Sequence, residues 1–244
     1  MSKFFIPREN VAEKTLYICG EDVAHITRVL RYGIGDKLLC CDGMGYDYAA
    51  KITEIEKDRV VCEIMDKSKT NTEADLRVTL IQGVPKSAKM DYIIQKTTEL
   101  GIAEIYPCAL SRCVAKVNDA KKIDRWQKIA REAAKQSGRG VIPKVHELVT
   151  LDAAIEILKN ADVAFVPYEC EEEHYLKPLL KSFENVKNAA FLIGPEGGFD
   201  KQEIDKICSF GIPIISLGKR ILRTETAGEA VLSMLMYEIG DING

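Results

Sequence analysis

The amino-acid sequence predicts an α/β protein in which a small, mostly antiparallel β unit precedes a larger domain built on a parallel sheet. Short apolar segments crowd the first 67 residues, whereas strand-like and helix-like segments alternate after a polar stretch at 68–75. Alternation of this kind is typical of a largely parallel sheet covered by helices. A length of 244 residues and a hydrophobic content of 46% suit one large domain or two unequal ones with a sizeable core.

The first 70 residues form the predicted β unit, which we interpret as a barrel. Strands are expected at 3–6, 15–19, 37–41, 46–55 and 59–65, with turn signals at 42–45 and 57–58. The one predicted helix of this unit spans 22–31, and its polar side chains recur at spacings of three residues: His25, Arg28 and Arg31. That spacing predicts an outward-facing cationic stripe.

The polar stretch at 68–75 has no apolar period and predicts a linker, so the domains are expected at 1–70 and 71–244. In the second domain, strands are expected at 77–82, 104–108, 162–166, 190–193 and 213–217, and helices at 90–100, 119–136, 200–210 and 227–239. Capping boxes are predicted to open the last two helices, formed by Asp200 with Glu203 and by Thr226 with Glu229.

Composition disfavours metal, disulfide and membrane chemistry. The eight cysteines contain no C-x-x-C pair, and most stand in apolar strands, where reduced Cys acts as a small hydrophobe. The three histidines show no ligand spacing, and no apolar run is long enough for a signal peptide or a membrane span. We therefore expect no metal, no membrane partner and a cytoplasmic location.

Positive charge is concentrated in one segment of an otherwise acidic chain. The formal net charge is -3, yet residues 111–145 hold ten lysines and arginines against three acidic residues. Such a segment is what a localised nucleic-acid footprint would look like, although a solvated helix face has the same composition. Charge alone leaves both interpretations open.

Two loops at predicted strand ends carry the candidate functional residues. The first, 194–198, is rich in glycine, which lets a backbone approach a ligand closely, and its spacing matches neither a dinucleotide fingerprint nor a phosphate-binding loop. The second, 218–226, crowds Arg220, Arg223, Thr224 and Glu225 into a short connection. Ligands of open parallel sheets bind at such strand ends, but a plain turn fits the first loop equally well.

The last predicted helix, 227–239, is apolar nearly all round. A surface helix would show one apolar stripe. We therefore predict that its own sheet covers one side and a second subunit the other, in a homodimer in which Leu232, Leu235 and Met236 would otherwise be exposed.

Several motifs, in order along essentially the whole chain, resemble the RsmE family of ribosomal RNA uridine N3-methyltransferases, which belongs to the SPOUT or α/β-knot superfamily. They are Ile193-Gly-Pro-Glu-Gly-Gly198, Leu217-Gly-Lys-Arg-Ile-Leu-Arg-Thr-Glu-Thr-Ala227, Lys89-Met-Asp91, Glu99-Leu-Gly101, Arg125-Trp126, Gln136-Ser-x-Arg139 and His25-x-x-Arg28-Val-Leu-Arg31. The resemblance implies a PUA-like RNA-binding β-barrel at 1–70 and a trefoil-knotted methyltransferase domain at 71–244. One departure is an unusually acidic loop after Tyr168.

The resemblance also implies that S-adenosylmethionine (AdoMet) donates a methyl group to N3 of a uridine in 16S ribosomal RNA, either naked or in the assembled small subunit. The cofactor residues that it implies are Val166, Tyr168, Ile193, Gly194, Pro195, Glu196, Gly197, Gly198, Leu217, Gly218, Ile221 and Leu222. Its catalytic candidates are Arg223, Glu225 and Glu196. The RNA-binding candidates are Arg8, His25, Arg28, Arg31, Lys86, Lys89, Arg112, Lys121, Arg125 and Arg139.

Two rival functions remain open at this point. A non-enzymatic RNA-binding or ribosome-assembly protein would use the same basic residues, and its glycine-rich loops would be turns only. A methyltransferase of the same superfamily could instead modify another RNA position, such as a ribose 2'-hydroxyl.

Overall fold

The computed structural model describes residues 3–86, 88–113, 120–183 and 185–242. It divides into two compact units, Met1–Glu73 with Ala134–Ile142, and Ala74–Ala133 with Pro143–Gly244. Among the residues described, no helix has the length and apolar character that crossing a membrane requires. The predicted division at residue 70 stays a prediction, and the segment 134–142 clusters with the first unit although it follows that boundary in sequence.

The first unit is built on a five-stranded sheet. Its strands are β1 (Lys3–Phe5), β2 (Thr15–Cys19), β3 (Lys37–Cys41), β4 (Tyr46–Ile55) and β5 (Arg59–Lys69), in the spatial order β1-β3-β4-β5-β2. Only β1 and β3 pair in parallel, and the other neighbours are antiparallel. The sheet wraps a core that includes the fully buried Phe4, Leu16 and Ile26.

Strand β5 runs four residues beyond its predicted end, into the stretch interpreted as a linker. Lys69 pairs with Tyr46 of β4, and Lys67 Nζ lies 4.5 Å from the centre of the Tyr46 ring. A lysine over an aromatic ring across two strands stabilises the pairing without an apolar side chain. Residues 66–69 are therefore part of β5, although their polar composition did not predict a strand.

The predicted helix at 22–31 has two parts: one α-helical turn, α1 (Glu21–Ala24), and a π-helical turn over His25–Val29. The wider turn closes with a hydrogen bond from Leu30 N to His25 O of 2.9 Å, and Arg31 follows with a φ of 57°. His25 is half-buried with its ring edge-on to Phe4, whereas Arg28 and Arg31 are exposed. The expected regular helix is therefore replaced by two different turns, and of the expected outward stripe only Arg28 and Arg31 are exposed.

The second unit is built on a parallel sheet. Its strands are β6 (Arg77–Gly83), β7 (Glu104–Ala109), β8 (Lys144–Val145), β9 (Val149–Thr150), β10 (Val163–Pro167), β11 (Asn188–Ile193) and β12 (Ile214–Ile215). The order is β12-β10-β11-β6-β7-β8, with β9 also paired to β7, and every pair is parallel. The predicted parallel sheet is thus confirmed, while β8 and β9 were not foreseen.

Helices cover both faces of this sheet. They are α2 (Lys89–Glu99), α3 (Ala120–Gln136), α4 (Leu151–Lys159), α5 (Leu176–Leu180), α6 (Lys201–Ser209) and α7 (Thr224–Glu238). Neighbouring strand residues point to opposite faces: Leu80 joins the core under α2, α3 and α7, and Ile81 joins the core under α4 and α6. The predicted start of α3, Asp119, lies outside the described residues, and α4 and α5 were not predicted.

The last helix departs from its prediction in two respects. Helix α7 begins at Thr224 with Arg223 as its N-cap residue and no side-chain cap, so the predicted Thr226–Glu229 capping box is wrong, whereas the Asp200–Glu203 box is confirmed at α6. Leu232, Leu235 and Met236 are fully buried in the core of their own unit. They are therefore not the exposed patch from which a homodimer was predicted.

Candidate functional site

A cavity of about 710 Å³ lies at the carboxyl ends of β10, β11 and β12, three adjacent strands of the parallel sheet. Its walls come from the loops after those strands, from the first turn of α7 and from the first residue of α2. They are Lys89, Pro167, Tyr168, Glu169, Glu171, Glu172, Tyr175, Ile193, Gly194, Pro195, Glu196, Gly198, Phe199, Ser216, Leu217, Gly218, Lys219, Arg220, Ile221, Leu222, Arg223, Thr224 and Ala227. A cavity of this size at strand ends is a typical small-molecule site.

Glycines allow the backbone to form the cavity wall. Gly218 has a φ of 97°, and an added Cβ there would meet no protein atom within 4 Å. At Gly194, an added Cβ would lie 3.1 Å from the Phe199 ring. Gly198 has a φ of 65°, and a Cβ there would collide with the carboxylate of Glu169. Side chains at these three positions would fill the space or distort the wall.

Ten of the twelve residues that the resemblance implies for cofactor binding line this cavity; Val166 and Gly197 do not. Val166 is fully buried inside β10 in the core under α4 and α6. Gly197 faces outward onto Arg112: an added Cβ would lie 3.1 Å from Arg112 Cβ, and Arg112 Nη1 donates to Gly197 O at 2.9 Å. The cavity wall therefore does not include these two positions, and their contact with the cofactor stays a prediction.

The Lys89 ammonium group in the cavity wall contacts two carboxylates: Glu196 lines the cavity, whereas Glu225 lies behind the wall and does not. Lys89 Nζ lies 3.2 Å from Glu196 Oε1 and 3.1 Å from Glu225 Oε2. Lys89 was predicted to contact RNA, whereas it lies inside the cavity as the partner of two catalytic candidates. The strand end at Gly83, which precedes it at the same sheet edge, was the signal that could have placed it there.

The two carboxylates differ in their surroundings. Glu196 also accepts hydrogen bonds from the backbone N–H of Lys86, at 3.0 and 3.2 Å. Burial opposes ionisation of Glu196, but backbone hydrogen bonds and Lys89 outweigh it and lower the pKa of the carboxyl. The side-chain hydrogen bond to Glu225 is the largest cause of the raised pKa of Lys89. The ammonium group therefore stays charged, and it favours the ionised form of Glu196.

The loop after β10 places three carboxylates on the cavity, those of Glu169, Glu171 and Glu172. Glu171 Oε1 accepts from the backbone N–H groups of Glu173 and His174 and contacts His174 Nδ1 at 3.0 Å. These backbone bonds lower the pKa of Glu171 to about 2. Glu171 thus fixes the loop, and Glu169 and Glu172 give the cavity rim negative charge.

The third catalytic candidate, Arg223, lies at the cavity wall with its side chain exposed. It makes no side-chain hydrogen bond or ion pair within the described part of the chain. Its neighbour Thr224 donates its hydroxyl proton to Gly194 O at 2.6 Å and accepts from Gln82 Nε2 at 2.9 Å. Gln82 was not singled out in the sequence, since a lone Gln at the end of an apolar strand carries no pattern.

The predicted RNA-binding residues of the second unit lie outside the cavity, Lys89 excepted. Lys86, Arg112 and Lys121 are exposed. Arg125 Nη2 is 2.6 Å from Asp91 Oδ1, which also accepts from Trp126 Nε1, so this arginine joins α3 to α2. Lys116, another cation of the basic segment, lies outside the described residues.

In the first unit, Arg8 is exposed like Arg28 and Arg31, but Arg139 is not. The guanidinium of Arg139 is buried and lies 2.6 Å from Glu73 Oε2, and Lys135 Nζ lies 2.6 Å from Asp22 Oδ1. Arg139 is therefore a buried, paired cation, and its contact with RNA stays a prediction that this burial disfavours.

Known RNA methyltransferase families match both parts of the chain. An RNA methyltransferase domain family matches residues 72–236, and an RNA methyltransferase PUA domain matches residues 18–65. The chain is 32% identical to the Ribosomal RNA small subunit methyltransferase E of Bacillus subtilis, over 100% of this chain and 99% of that protein. It is 33% identical to the protein of the same name from Buchnera aphidicola subsp. Acyrthosiphon pisum, over 92% and 88% of the two chains.

A crystal structure of a Ribosomal RNA small subunit methyltransferase E from Neisseria gonorrhoeae, bound to S-adenosyl methionine, superposes with a TM-score of 0.85. The two chains are 32% identical, and the match covers 99% of each. The predicted fold class, an α/β-knot methyltransferase domain with an N-terminal PUA-like unit, is thereby confirmed.

Proposed function

The chain belongs to the ribosomal RNA small subunit methyltransferase E family, and we propose that it transfers a methyl group from AdoMet to N3 of a uridine in 16S ribosomal RNA. One observation carries the proposal for this chain: the family-typical glycine-rich loops surround a single cavity at the carboxyl ends of β10, β11 and β12, with charged side chains in its wall.

The residues of the cavity fit AdoMet. Ile193, Phe199 and Leu217 supply apolar walls, and the open space beside Gly218 gives a ligand access to the backbone. The carboxylates of Glu169 and Glu172 suit a ligand that carries a sulfonium and an ammonium cation. We assign the cofactor to Tyr168, Ile193, Gly194, Pro195, Glu196, Gly198, Leu217, Gly218, Ile221 and Leu222.

AdoMet supplies an electrophilic methyl group when bound. The protein has to align the uridine with it and to help the N3 proton leave, because the protonated ring nitrogen is a poor nucleophile. Negative charge then spreads onto the carbonyl oxygens of the base. Arg223, exposed at the cavity wall, is placed to stabilise that charge.

Glu225 is the better candidate for the proton acceptor. Glu196 is held by the Lys86 N–H and by Lys89, and its lowered pKa makes it a weak base. Glu225 has Lys89 as its ion-pair partner and lies on the first turn of α7 beside Arg223. We therefore assign Glu196 to holding the loop and Glu225 to accepting the proton, directly or through water.

We assign RNA binding to residues 1–70 and catalysis to 71–244, in keeping with the PUA and methyltransferase matches. The target uridine must be unpaired or flipped, since base pairing buries N3. The proposed substrate is small-subunit ribosomal RNA, either naked or within the assembled subunit. We accordingly propose that the protein acts in the cytoplasm. Arg8, Arg28 and Arg31 are the exposed cations of the first unit that would contact phosphates.

We further propose a homodimer that uses the outer face of α7. Its exposed apolar residues are Met234 and Tyr237, which is 59% exposed. Sedimentation of the wild type and of Tyr237→Asp at micromolar concentration tests this: we expect a dimer for the first and a monomer for the second. A wild-type monomer would contradict it.

The decisive test of function combines two measurements. Ribosomal RNA nucleosides from cells lacking the protein should lose one N3-methyluridine by mass spectrometry, and the purified protein with AdoMet should restore it on small subunits from those cells. Loss of a ribose methylation instead would show that the enzyme acts at another position. Failure of the purified protein to bind AdoMet in calorimetry would favour a non-enzymatic assembly protein.

A further inference from the structure

Gln82 is a fully buried polar residue behind the cavity wall. It belongs to β6, its side chain is 0% exposed, and it does not line the cavity. Its Nε2 donates to Thr224 Oγ1 at 2.9 Å and to Gly83 O at 3.0 Å. Thr224 Oγ1 in turn donates to Gly194 O at 2.6 Å. One side chain thus connects β6, the first turn of α7 and the loop after β11.

The direction of each hydrogen bond in this chain is fixed. A threonine hydroxyl has a single proton, and Thr224 gives it to a carbonyl that can only accept. The hydroxyl oxygen must therefore accept from its other partner, so the amide NH₂ of Gln82 faces Thr224. The opposite amide orientation would set two acceptors against each other and break the connection.

The Gln82 amide makes hydrogen bonds through its NH₂ group but not through its oxygen. Gln82 Oε1 is buried and has no hydrogen-bond partner among the described residues. An unpaired buried acceptor destabilises the folded state, and an apolar side chain of similar size would avoid that cost. An amide at this place is therefore better explained by what its NH₂ group holds than by stability.

The held groups are two walls of the cavity. Gly194 and Thr224 both line it, on different loops. The Gly194 loop also packs tightly on β6, since an added Cβ at Gly83 would lie 2.8 Å from Pro195 Cδ. Small displacements of such walls have large effects on enzymes, of the order of a hundredfold in rate for about 1 Å.

We propose that Gln82 is a positioning residue of the methyltransferase site: through the Thr224 hydroxyl it holds the Gly194 loop and the start of α7 in register for AdoMet. This inference rests on the proposed function. It assigns a role in cofactor binding to a residue that touches neither cofactor nor RNA.

The test is AdoMet affinity by calorimetry, well below the melting temperature of each variant. We expect Gln82→Met to weaken AdoMet binding by about tenfold or more while leaving RNA affinity unchanged. Gln127→Met is the matched control, because Gln127 also makes two hydrogen bonds in the same unit, to Pro143 O and Val145 N, away from the cavity. The control should keep wild-type affinity even where it melts earlier.

The same connection is tested from Thr224, in case Gln82→Met does not fold. Thr224→Ser keeps the hydroxyl and should bind AdoMet more tightly than Thr224→Val, which loses the hydroxyl and with it the connection to Gln82. In the double variant, the losses of Gln82→Met and Thr224→Val should not multiply, because both break one connection.

The proposal would be overturned if Gln82→Met bound AdoMet with wild-type affinity, or if Gln82→Met and Gln127→Met lost affinity equally. It would also be overturned if Thr224→Ser and Thr224→Val bound AdoMet with equal affinity. Absence of AdoMet binding by the wild type would refute the proposed function instead. The two failures are therefore distinguishable.

Discussion

Lys89 Nζ lies 3.1 Å from Glu225 Oε2, and Lys89 itself lines the cavity together with Glu196. A basic residue after a strand end is easily assigned to RNA contacts, yet this ammonium group is held by carboxylates of its own unit. Under the proposed function, its positive charge lies next to the carboxylate assigned as the proton acceptor. The ion pair therefore joins the first turn of α7 to the first residue of α2.

Replacing Lys89 by Met should impair catalysis more than RNA binding. Without the ammonium group, Glu196 and Glu225 lose their shared cation, and kcat/KM should fall by about tenfold or more. Steady-state methyl transfer to small subunits measures the effect. Lys86→Met is the control, because the side chain of Lys86 is exposed and its backbone N–H still holds Glu196. Equal losses in both variants, with weaker RNA binding, would return Lys89 to the RNA surface.

Gly218→Ala should weaken AdoMet binding by at least about tenfold, because the added methyl group enters the cavity from a backbone with a φ of 97°. Gly211→Ala supplies the control: Gly211 also has a positive φ, 74°, with nothing within 4 Å of an added Cβ, but it lies outside the cavity. Both variants should lose about 1 kcal/mol of stability from backbone strain. Calorimetry that shows the same AdoMet affinity for both would place the cofactor away from Gly218.

The strands of the parallel sheet and the loops that follow them were predictable from the sequence. Buried parallel strands are continuous apolar segments, and the glycine-rich loops at their carboxyl ends mark the sheet edge where ligands bind. Gly197 shows where this inference ends, since a strand exit does not reveal which glycines face inward. Gln82 shows the same limit for a polar residue, because its role depends on α7, which follows 142 residues later.

Arg139 shows why charge patterns mislead at helix ends. Lys135 and Arg139 are four residues apart, as on one helical face, but α3 ends at Gln136, as predicted, and Gly138 has a φ of 73°. The chain turns back there, with Arg139 N donating to Ala134 O at 3.0 Å, and the guanidinium meets Glu73. Glu73 stood in a stretch interpreted as a linker, so neither partner carried a recognisable pattern.

Glu229 should make the stability of the protein depend on pH. Its pKa is raised by burial and by the neighbouring Glu225 and Glu99, against the opposing effect of Lys96, and its Oε1 has no hydrogen-bond partner among the described residues. A carboxyl whose pKa is higher in the folded state binds its proton more tightly there. It therefore lowers stability as pH rises from the ordinary value of 4.5 through the folded value, and the loss remains above that.

The expected result for Glu229→Gln is a melting temperature above that of the wild type at pH 8 and a smaller difference, or none, at pH 4. Differential scanning calorimetry at both pH values measures it. Glu238→Gln is the control on the same helix, since Glu238 is paired with Lys177 at 3.3 Å and gains nothing from neutralisation. A Glu229→Gln variant that is less stable at pH 8 would show that the ionised carboxylate is favourable.

The exposed arginines of the first unit and the buried one should behave differently on substitution. Arg28 and Arg31 are exposed, so the double variant Arg28→Gln, Arg31→Gln should fold normally and weaken binding to small subunits. Each lost phosphate contact to single-stranded RNA reduces the slope of log affinity against log salt by about 0.7. AdoMet affinity should not change, because phosphate contacts position the substrate without touching the cofactor.

The variant Arg139→Gln removes a cation that is buried inside the fold, whereas the double variant removes two cations that are exposed on the surface. It breaks the pair with Glu73, whose carboxylate also accepts from the backbone N–H groups of Gly140 and Val141. Removing one partner of such a buried pair destabilises by about 3 kcal/mol, which urea denaturation measures. The salt slope of binding should stay that of the wild type at temperatures where the variant is folded. The opposite result would be a reduced salt slope and wild-type stability for Arg139→Gln, together with a wild-type salt slope for the Arg28→Gln, Arg31→Gln variant. It would show that RNA contacts the basic segment at 111–145 and not the π-helical turn.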